Sequence, residues 1–157
     1  TLSSSSAASD VYKRQGYSGV AAEIGHIPYK KAPFVCGCGK DNCVELFASG
    51  TGLIKFKKYL GLDSKLSLQE LREQKNEIYR HFEDALMHAI GVSVTLFNPK
   101  FLVLGGGIFK NDAMLIEVIL QRFQEFTMPV SASKLKIVPT QLENAVLAGA
   151  KMLEEDI

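Results

Sequence analysis

The chain has 157 residues, 46% of them hydrophobic and 22% charged, a composition that suits one globular domain with a sizeable core. Eighteen Lys and Arg oppose 17 Asp and Glu for a formal net charge of +1, so no bulk field draws the chain to nucleic acid or to an anionic membrane. No apolar run approaches the ~20 residues of a spanning helix, and no apolar segment follows a basic start as in a signal peptide.

In chain order, residues 1–15 are Ser/Ala-rich with little apolar surface to bury, and are expected to be a disordered or non-native tail that looks like a translated adapter sequence. The native start then falls near Gly16, and Gly16 to Gly19 is a loop. Val20 to Ile27 reads as an approach into a strand closed by Pro28, and Phe34 to Cys43 as a loop. Val44 to Leu60 reads as a helix with Leu46, Phe47, Leu53, Ile54 and Phe56 apolar and Lys55, Lys57 and Lys58 exposed. Its Ser49-Gly50-Thr51-Gly52 insert costs helix stability and can split it in two. Such an insert marks either a close backbone approach to another element or ligand, or a plain helix break.

Gly61 to Ser67 is a linker and Leu68 to Glu73 a short helix. Asn76 to Phe97 gives the clearest helical period, with Ile78, Phe82, Ala85, Leu86, Ala89, Val92 and Leu96 at three- and four-residue steps. Gly91 inside it marks a close-packed neighbour, and Asn98-Pro99 stops it. His81 and His88 on this helix read as packing or surface residues. Phe101 to Leu104, between Pro99 and Gly105-Gly106-Gly107, reads as a buried strand of a parallel sheet. Helix over Met114 to Phe126, strand over Leu135 to Val138 and helix over Asn144 to Glu154 complete an α/β alternation.

The chemistry concentrates between Glu23 and Glu45. Cys36, Cys38 and Cys43 are the three cysteines of the chain, and His26 lies ten residues before the first. One imidazole and three thiolates make a Cys₃His complement suited to a closed structural Zn²⁺ site, and poorly suited to Mg²⁺ or Ca²⁺. Gly37 and Gly39 allow the tight backbone that convergent sulfurs need. The alternative is ordinary thiols or one disulfide with a thiol left over. Reduced, metal-binding thiols point to a cytoplasmic setting. Glu23, His26 and Glu45 form a candidate polyol-binding set, because carboxylates accept strongly from sugar hydroxyls. His26 can serve twice, one ring nitrogen on the ion and the other toward a hydroxyl. Against this stands the reading of two solvated acids and a purely structural His. Gly105, Gly106 and Gly107 form a candidate phosphate contact, since a Gly-rich turn after a parallel strand brings backbone N–H groups to an anion. They match neither G-x-G-x-x-G nor a P-loop, and from the residues alone a tight structural turn is the better account.

E-I-G-H followed by C-G-C-G-K-D-N-C-V-E resembles the signature of the ROK family of repressors and sugar kinases, E-x-G-H then C-x-C-G-x-x-G-C-x-E. The resemblance spans roughly residues 16–155 and departs at Asn42, where the family has Gly and where Asn can still adopt a left-handed conformation. Within the family, I-G-H-I-P and L-F-N-P-K-F-L-V-L-G-G-G-I are most similar to allose-kinase-like members. The resemblance implies that residues 16–157 form the C-terminal lobe of an actin-like, hexokinase-like (ribonuclease H-like) ATPase fold. That lobe carries an inserted zinc loop (23–45) and a nucleotide-side strand-loop (101–107).

The resemblance further implies that Glu23, His26 and Glu45 contact a hexose or N-acetylhexosamine, and that Gly105 to Gly107 face ATP and Mg²⁺. A full-length homo-oligomer is implied as well. The family's general-base Asp and its glycine-rich phosphate segment belong to an N-terminal lobe, and neither motif occurs in this sequence. The chain is therefore expected to be a fragment of an ATP-dependent hexose kinase, with no catalytic residue of its own and no turnover alone. The other family reading is the sugar-sensing domain of a repressor, in which case nucleic acid is a partner of the whole protein. Apolar surface is expected wherever the other lobe would pack.

Overall fold

A computed structural model describes residues 17, 18 and 20–142. The tail over 1–15 and the helix expected over 144–154 lie outside the described residues.

The longest element organises the rest. It is helix α3 (Glu77–Phe97), which follows α1 (Gly50–Tyr59) and α2 (Leu68–Glu73). The Asn76 side chain caps α3 by accepting from the Ile78 N–H, and Asn98 ends it in the left-handed conformation at φ 41°. Before it, α2 carries a full capping box between Ser67 and Glu70. Two faces of α3 are buried. Phe82, Met87, Ile90 and Val94 pack into the main core with Leu71, Leu115 and Ile119. Ala85 packs instead into a second cluster with Cys36, Cys43, Val44, Leu46 and Phe47. The helix thus joins the α/β body to the cysteine loop. Aromatic rings reinforce the seam: Tyr29, Phe47, Phe56 and Phe34 form a chain with centroids 5.3, 5.1 and 4.8 Å apart. His88 lies 5.3 Å from the Tyr29 ring and His81 6.1 Å from Phe47, so both histidines are packing residues of this seam.

Strands β1 (Phe101–Leu104) and β2 (Lys136–Pro139) pair in parallel, Phe101 opposite Lys136 and Leu104 opposite Pro139. Between them run α4 (Gly107–Asn111), α5 (Met114–Arg122), a 3₁₀ turn (Phe123–Phe126) and α6 (Pro129–Ala132). The β1 run is not buried on both faces as its apolar sequence suggests. Phe101 and Val103 are 50% and 58% exposed, whereas Leu104 is 7% exposed. Among the described residues the sheet has two strands, and only the Leu102/Leu104 face meets the core.

Two further expectations change. The approach expected to enter a strand is a 3₁₀ turn (Ile24–His26) followed by a single antiparallel bridge from Pro28 to Cys43. The helix expected from Val44 to Leu60 is split into a 3₁₀ turn (Val44–Leu46) and α1. The split has a steric cause. A Cβ at Gly52 would lie 2.2 Å from the Leu46 carbonyl oxygen, so the start of α1 crosses the preceding turn at backbone distance. Gly91 plays the same part on α3, where a Cβ would meet the Phe126 carbonyl oxygen at 2.4 Å. Both glycines answer the close-approach reading of the sequence.

Candidate metal centre and binding clefts

The cysteine loop is a pair of antiparallel arms. Backbone bonds from Val44 N–H to Ile27 O, Tyr29 N–H to Asn42 O, Ala32 N–H to Asp41 O and Cys36 N–H to Lys40 O tie residues 27–36 to 40–44. Gly39, at φ 88°, turns the tip and donates to the Cys36 carbonyl at 2.9 Å. This is the position that requires left-handed backbone. Asn42, expected to supply it, has no positive φ and sits in the second arm with its carbonyl accepting from Tyr29.

The arms bring Cys36, Cys38 and Cys43 together, and the 3₁₀ turn before them adds His26. The four ligand atoms all lie within 4.8 Å of one another. Cys38 and Cys43 Sγ are 3.3 Å apart, and Cys36 Sγ is 3.5 Å from His26 Nδ1. Tetrahedral zinc with Zn–S of about 2.3 Å and Zn–N of about 2.0–2.1 Å demands donor separations of roughly 3.5–3.8 Å. The set fits that requirement after sub-ångström adjustments of its shorter edges and about an ångström of contraction across its longest.

The thiols differ in environment. Cys43, completely buried, is pushed up to about 12, first by burial and then by the neighbouring sulfurs. Cys38 is exposed and drawn down to about 7, chiefly by the Lys40 backbone N–H and then by its sulfur neighbours. At Cys36 the Cys38 N–H works downward, but the hydrogen bond to Glu45 and burial together raise it.

The two acids flank the imidazole. Glu23 Oε2 lies 4.0 Å from His26 Nε2, and Glu45 Oε1 lies 3.9 Å from His26 Nδ1. Glu45 Oε1 also accepts from the Cys36 thiol at 2.7 Å. The Gly25 of E-I-G-H makes room for this: a Cβ there would stand 3.3 Å from Glu45 Cβ and Oε2. Glu23, His26 and Glu45 are therefore one constellation with the sulfurs, as the spacing suggests. Nδ1 faces the sulfurs and Nε2 faces Glu23 and the outside.

Gly105, Gly106 and Gly107 lie elsewhere, along a groove of ≈ 750 Å³. Its opposite wall is the start of α1, with Ser49, Gly50 and Thr51. Gly106 has φ 103° and precedes α4, so the glycine turn opens directly into a helix that the sequence reading did not anticipate. A smaller cavity of ≈ 260 Å³ lies beside Glu45 and Gly37, and Ser49 and Thr51 line it too. The start of α1 thus separates the acid-bearing loop from the glycine groove. Ser49 holds that start by accepting from the Gly52 N–H and donating to the Glu45 carbonyl at 2.6 Å.

Lys57, expected to be exposed, is 8% exposed and lines the groove. Its ammonium donates to the carbonyls of Leu66 and Ser64 at 2.5 and 3.3 Å, which pins the linker against α1. Asp112, buried and lining the same groove, accepts from Arg72 at 2.8 and 3.0 Å. The pairing of Arg72 with Asp112, 40 residues apart, leaves no trace in a local sequence pattern.

The profile of the ROK family matches residues 8–157, and the chain belongs to that family. A glucokinase of Thermotoga maritima is 26% identical over 168 residues, covering 93% of this chain and 53% of its own. An N-acetyl-D-glucosamine kinase of Pectobacterium carotovorum is 27% identical over 132 residues, covering 74% and 43%. The chain thus spans about half the length of these relatives. Among solved structures, a ROK family transcriptional regulator homologous to the E. coli MLC protein superposes with a TM-score of 0.65 at 24% identity, over 90% of this chain and 40% of its own. A ROK hexokinase from Thermus thermophilus gives 0.65 at 22% identity, over 91% and 51%. The α/β architecture is therefore that of ROK hexokinases and repressors. No helix among the described residues is long and apolar enough to cross a membrane.

Proposed function

We propose that residues 16–157 are the metal- and sugar-holding lobe of an ATP-dependent hexose kinase, of the actin-like ATPase fold. The observation that carries this is the joining of Glu23, His26 and Glu45 to the Cys₃His cluster in one constellation, with a separate glycine groove across the start of α1. His26, Cys36, Cys38 and Cys43 hold Zn²⁺, which is structural: four protein donors leave no open position, so it supplies rigidity rather than activated water. His26 presents Nε2 outward, and Glu23 and Glu45 accept hydroxyl protons of a hexose or N-acetylhexosamine. Gly105 to Gly107, with the start of α1, face the phosphates of Mg²⁺-ATP. Positioning and electrostatics supply most of the rate in phosphoryl transfer, and this lobe contributes both. The base that deprotonates the sugar hydroxyl is assigned to no residue of this chain, and comes from a partner lobe. Kinase relatives that act on glucose and on N-acetylglucosamine support the substrate class, and the motif resemblance adds allose.

A second reading, the sugar-sensing domain of a repressor, is supported by the equal superposition on the ROK regulator. Calorimetric titration of the zinc-loaded chain with glucose, N-acetylglucosamine and allose, with and without Mg²⁺-ATP, separates the readings. Sugar heat together with nucleotide heat supports the kinase lobe. Sugar heat without nucleotide heat supports the sensor, and no heat from any sugar overturns both.

A further inference from the structure

The three sulfurs of the cluster are not equivalent in access. Cys38 is an exposed residue beside the Gly39 tip, whereas Cys43 is completely buried and Cys36 is 4% exposed. Cys38 and Cys43 are also the close pair, 3.3 Å apart, while Cys36 is turned toward Glu45 and His26. An S–S bond of about 2.05 Å therefore needs a combined closure of little more than an ångström. Cys43 lies in the second arm and Cys38 in the turn that joins the arms, and the backbone hydrogen bonds of the loop hold the two within reach.

We infer that Cys38 is a site of oxidation by hydroperoxides, with Cys43 as its resolving partner, and that the disulfide they form empties the metal site. The Cys38 thiolate attacks the terminal peroxide oxygen, forming an S–O bond while the O–O bond breaks and the leaving oxygen departs with a proton as water or alcohol. The Cys43 sulfur then attacks the Cys38 sulfur. The S–S bond forms, the S–O bond breaks, and hydroxide leaves as water with the proton given up by Cys43. Two thiols lose two electrons and one hydroperoxide gains them. His26 and Cys36 remain as donors, half of a closed zinc shell. The clamp on Glu45 and His26 then loosens, which couples oxidant to sugar affinity. Metal release rests on the zinc reading proposed above; formation of the disulfide does not.

The test uses the whole chain, reduced, loaded with Zn²⁺ and treated with hydrogen peroxide. The readouts are intact mass, tryptic mapping and zinc captured by a chromophoric chelator. Trypsin cleaves after Lys40, which puts Cys36 and Cys38 on one peptide and Cys43 on the next. The expected result is loss of two hydrogen masses, a cross-link between those peptides, and one zinc released per cross-link, all reversed by dithiothreitol and zinc. Cys36→Ser keeps the cross-link and Cys43→Ser loses it. Oxygen added to Cys38 without a cross-link, or a bridge confined to the Cys36–Cys38 peptide, overturns the inference. Cross-linking in a chain that binds no zinc when reduced upholds the thiol pair and overturns the metal reading instead.

Discussion

Replacing Gly52 with alanine tests the junction between α1 and the acid-bearing turn. Two effects oppose each other. Alanine within a helix gains about 1 kcal/mol over glycine from backbone propensity. Against this, the added Cβ would stand 2.2 Å from the Leu46 oxygen, 2.7 Å from the Leu46 carbonyl carbon and 3.0 Å from the Glu45 oxygen. All three neighbours are backbone, so no side chain can rotate away. Relief requires α1 or the Val44–Leu46 turn to move by about an ångström, and overpacking of this kind costs typically about 1–3 kcal/mol and occasionally more. A contact this short, against three backbone atoms, belongs at the upper end, so the net expectation is a loss of roughly 1–3 kcal/mol. For a chain of this size that lowers Tm by roughly 2–12 °C. Because the turn begins at Cys43 and carries Glu45, zinc affinity should fall through the first and sugar affinity through the second. Gly107→Ala is the control, since a Cβ there meets nothing within 4 Å. Thermal unfolding followed by circular dichroism, with a zinc competition titration on the same samples, reads both effects. A Gly52→Ala protein as stable as the parent, with unchanged zinc affinity, would refute the close-crossing argument.

Other expectations follow from the same geometry. Asp112→Asn leaves Arg72, whose side chain is 19% exposed, without its countercharge, and should cost about 3 kcal/mol, read as a Tm drop of roughly 6–12 °C. Glu45→Gln removes a charged acceptor and should weaken sugar binding roughly 10–100-fold while zinc content stays the same, measured by calorimetry and elemental analysis. With Cys36 raised and Cys43 pushed up to about 12, both are protonated at neutral pH, and Cys38 near 7 is about half so. Zinc binding at pH 7 should therefore release about two to three protons, and affinity should fall steeply as pH falls; titration in buffers of different ionisation enthalpy counts them. The isolated chain, assayed with ATP and several hexoses in a coupled kinase assay, should show no turnover, and robust sugar-dependent turnover would contradict the assignment of the base to a partner lobe.

The sequence exposes those parts of the molecule that depend on local pattern. The period of Ile78, Phe82 and Ala85 announces α3, and Asn76 and Asn98-Pro99 mark its ends to within a residue. The clustering of His26 with three cysteines announces the four side chains that the fold brings within 4.8 Å of one another, because convergence there needs one short hairpin. What stays hidden is set by contacts far apart in the chain. Lys57 looks like one more exposed lysine until the linker carbonyls of Ser64 and Leu66 fold onto it. The apolar run of β1 reads as buried on both faces, yet among the described residues the core covers the Leu102/Leu104 face and leaves Phe101 and Val103 open. Pro129, three residues past the helix expected to end at Phe126, begins α6 at a position where a missing N–H costs nothing. The Ser49–Gly52 insert gives a warning in sequence, but only the fold shows that it divides Glu45 from the glycine groove.

The account stands on a single ion held by His26, Cys36, Cys38 and Cys43. X-ray absorption at the zinc K-edge, on protein purified without chelator, tests it directly. The predicted result is one zinc per chain with three sulfurs at about 2.3 Å and one nitrogen at about 2.0–2.1 Å. A metal-free chain, or a shell with a different sulfur count, would contradict it.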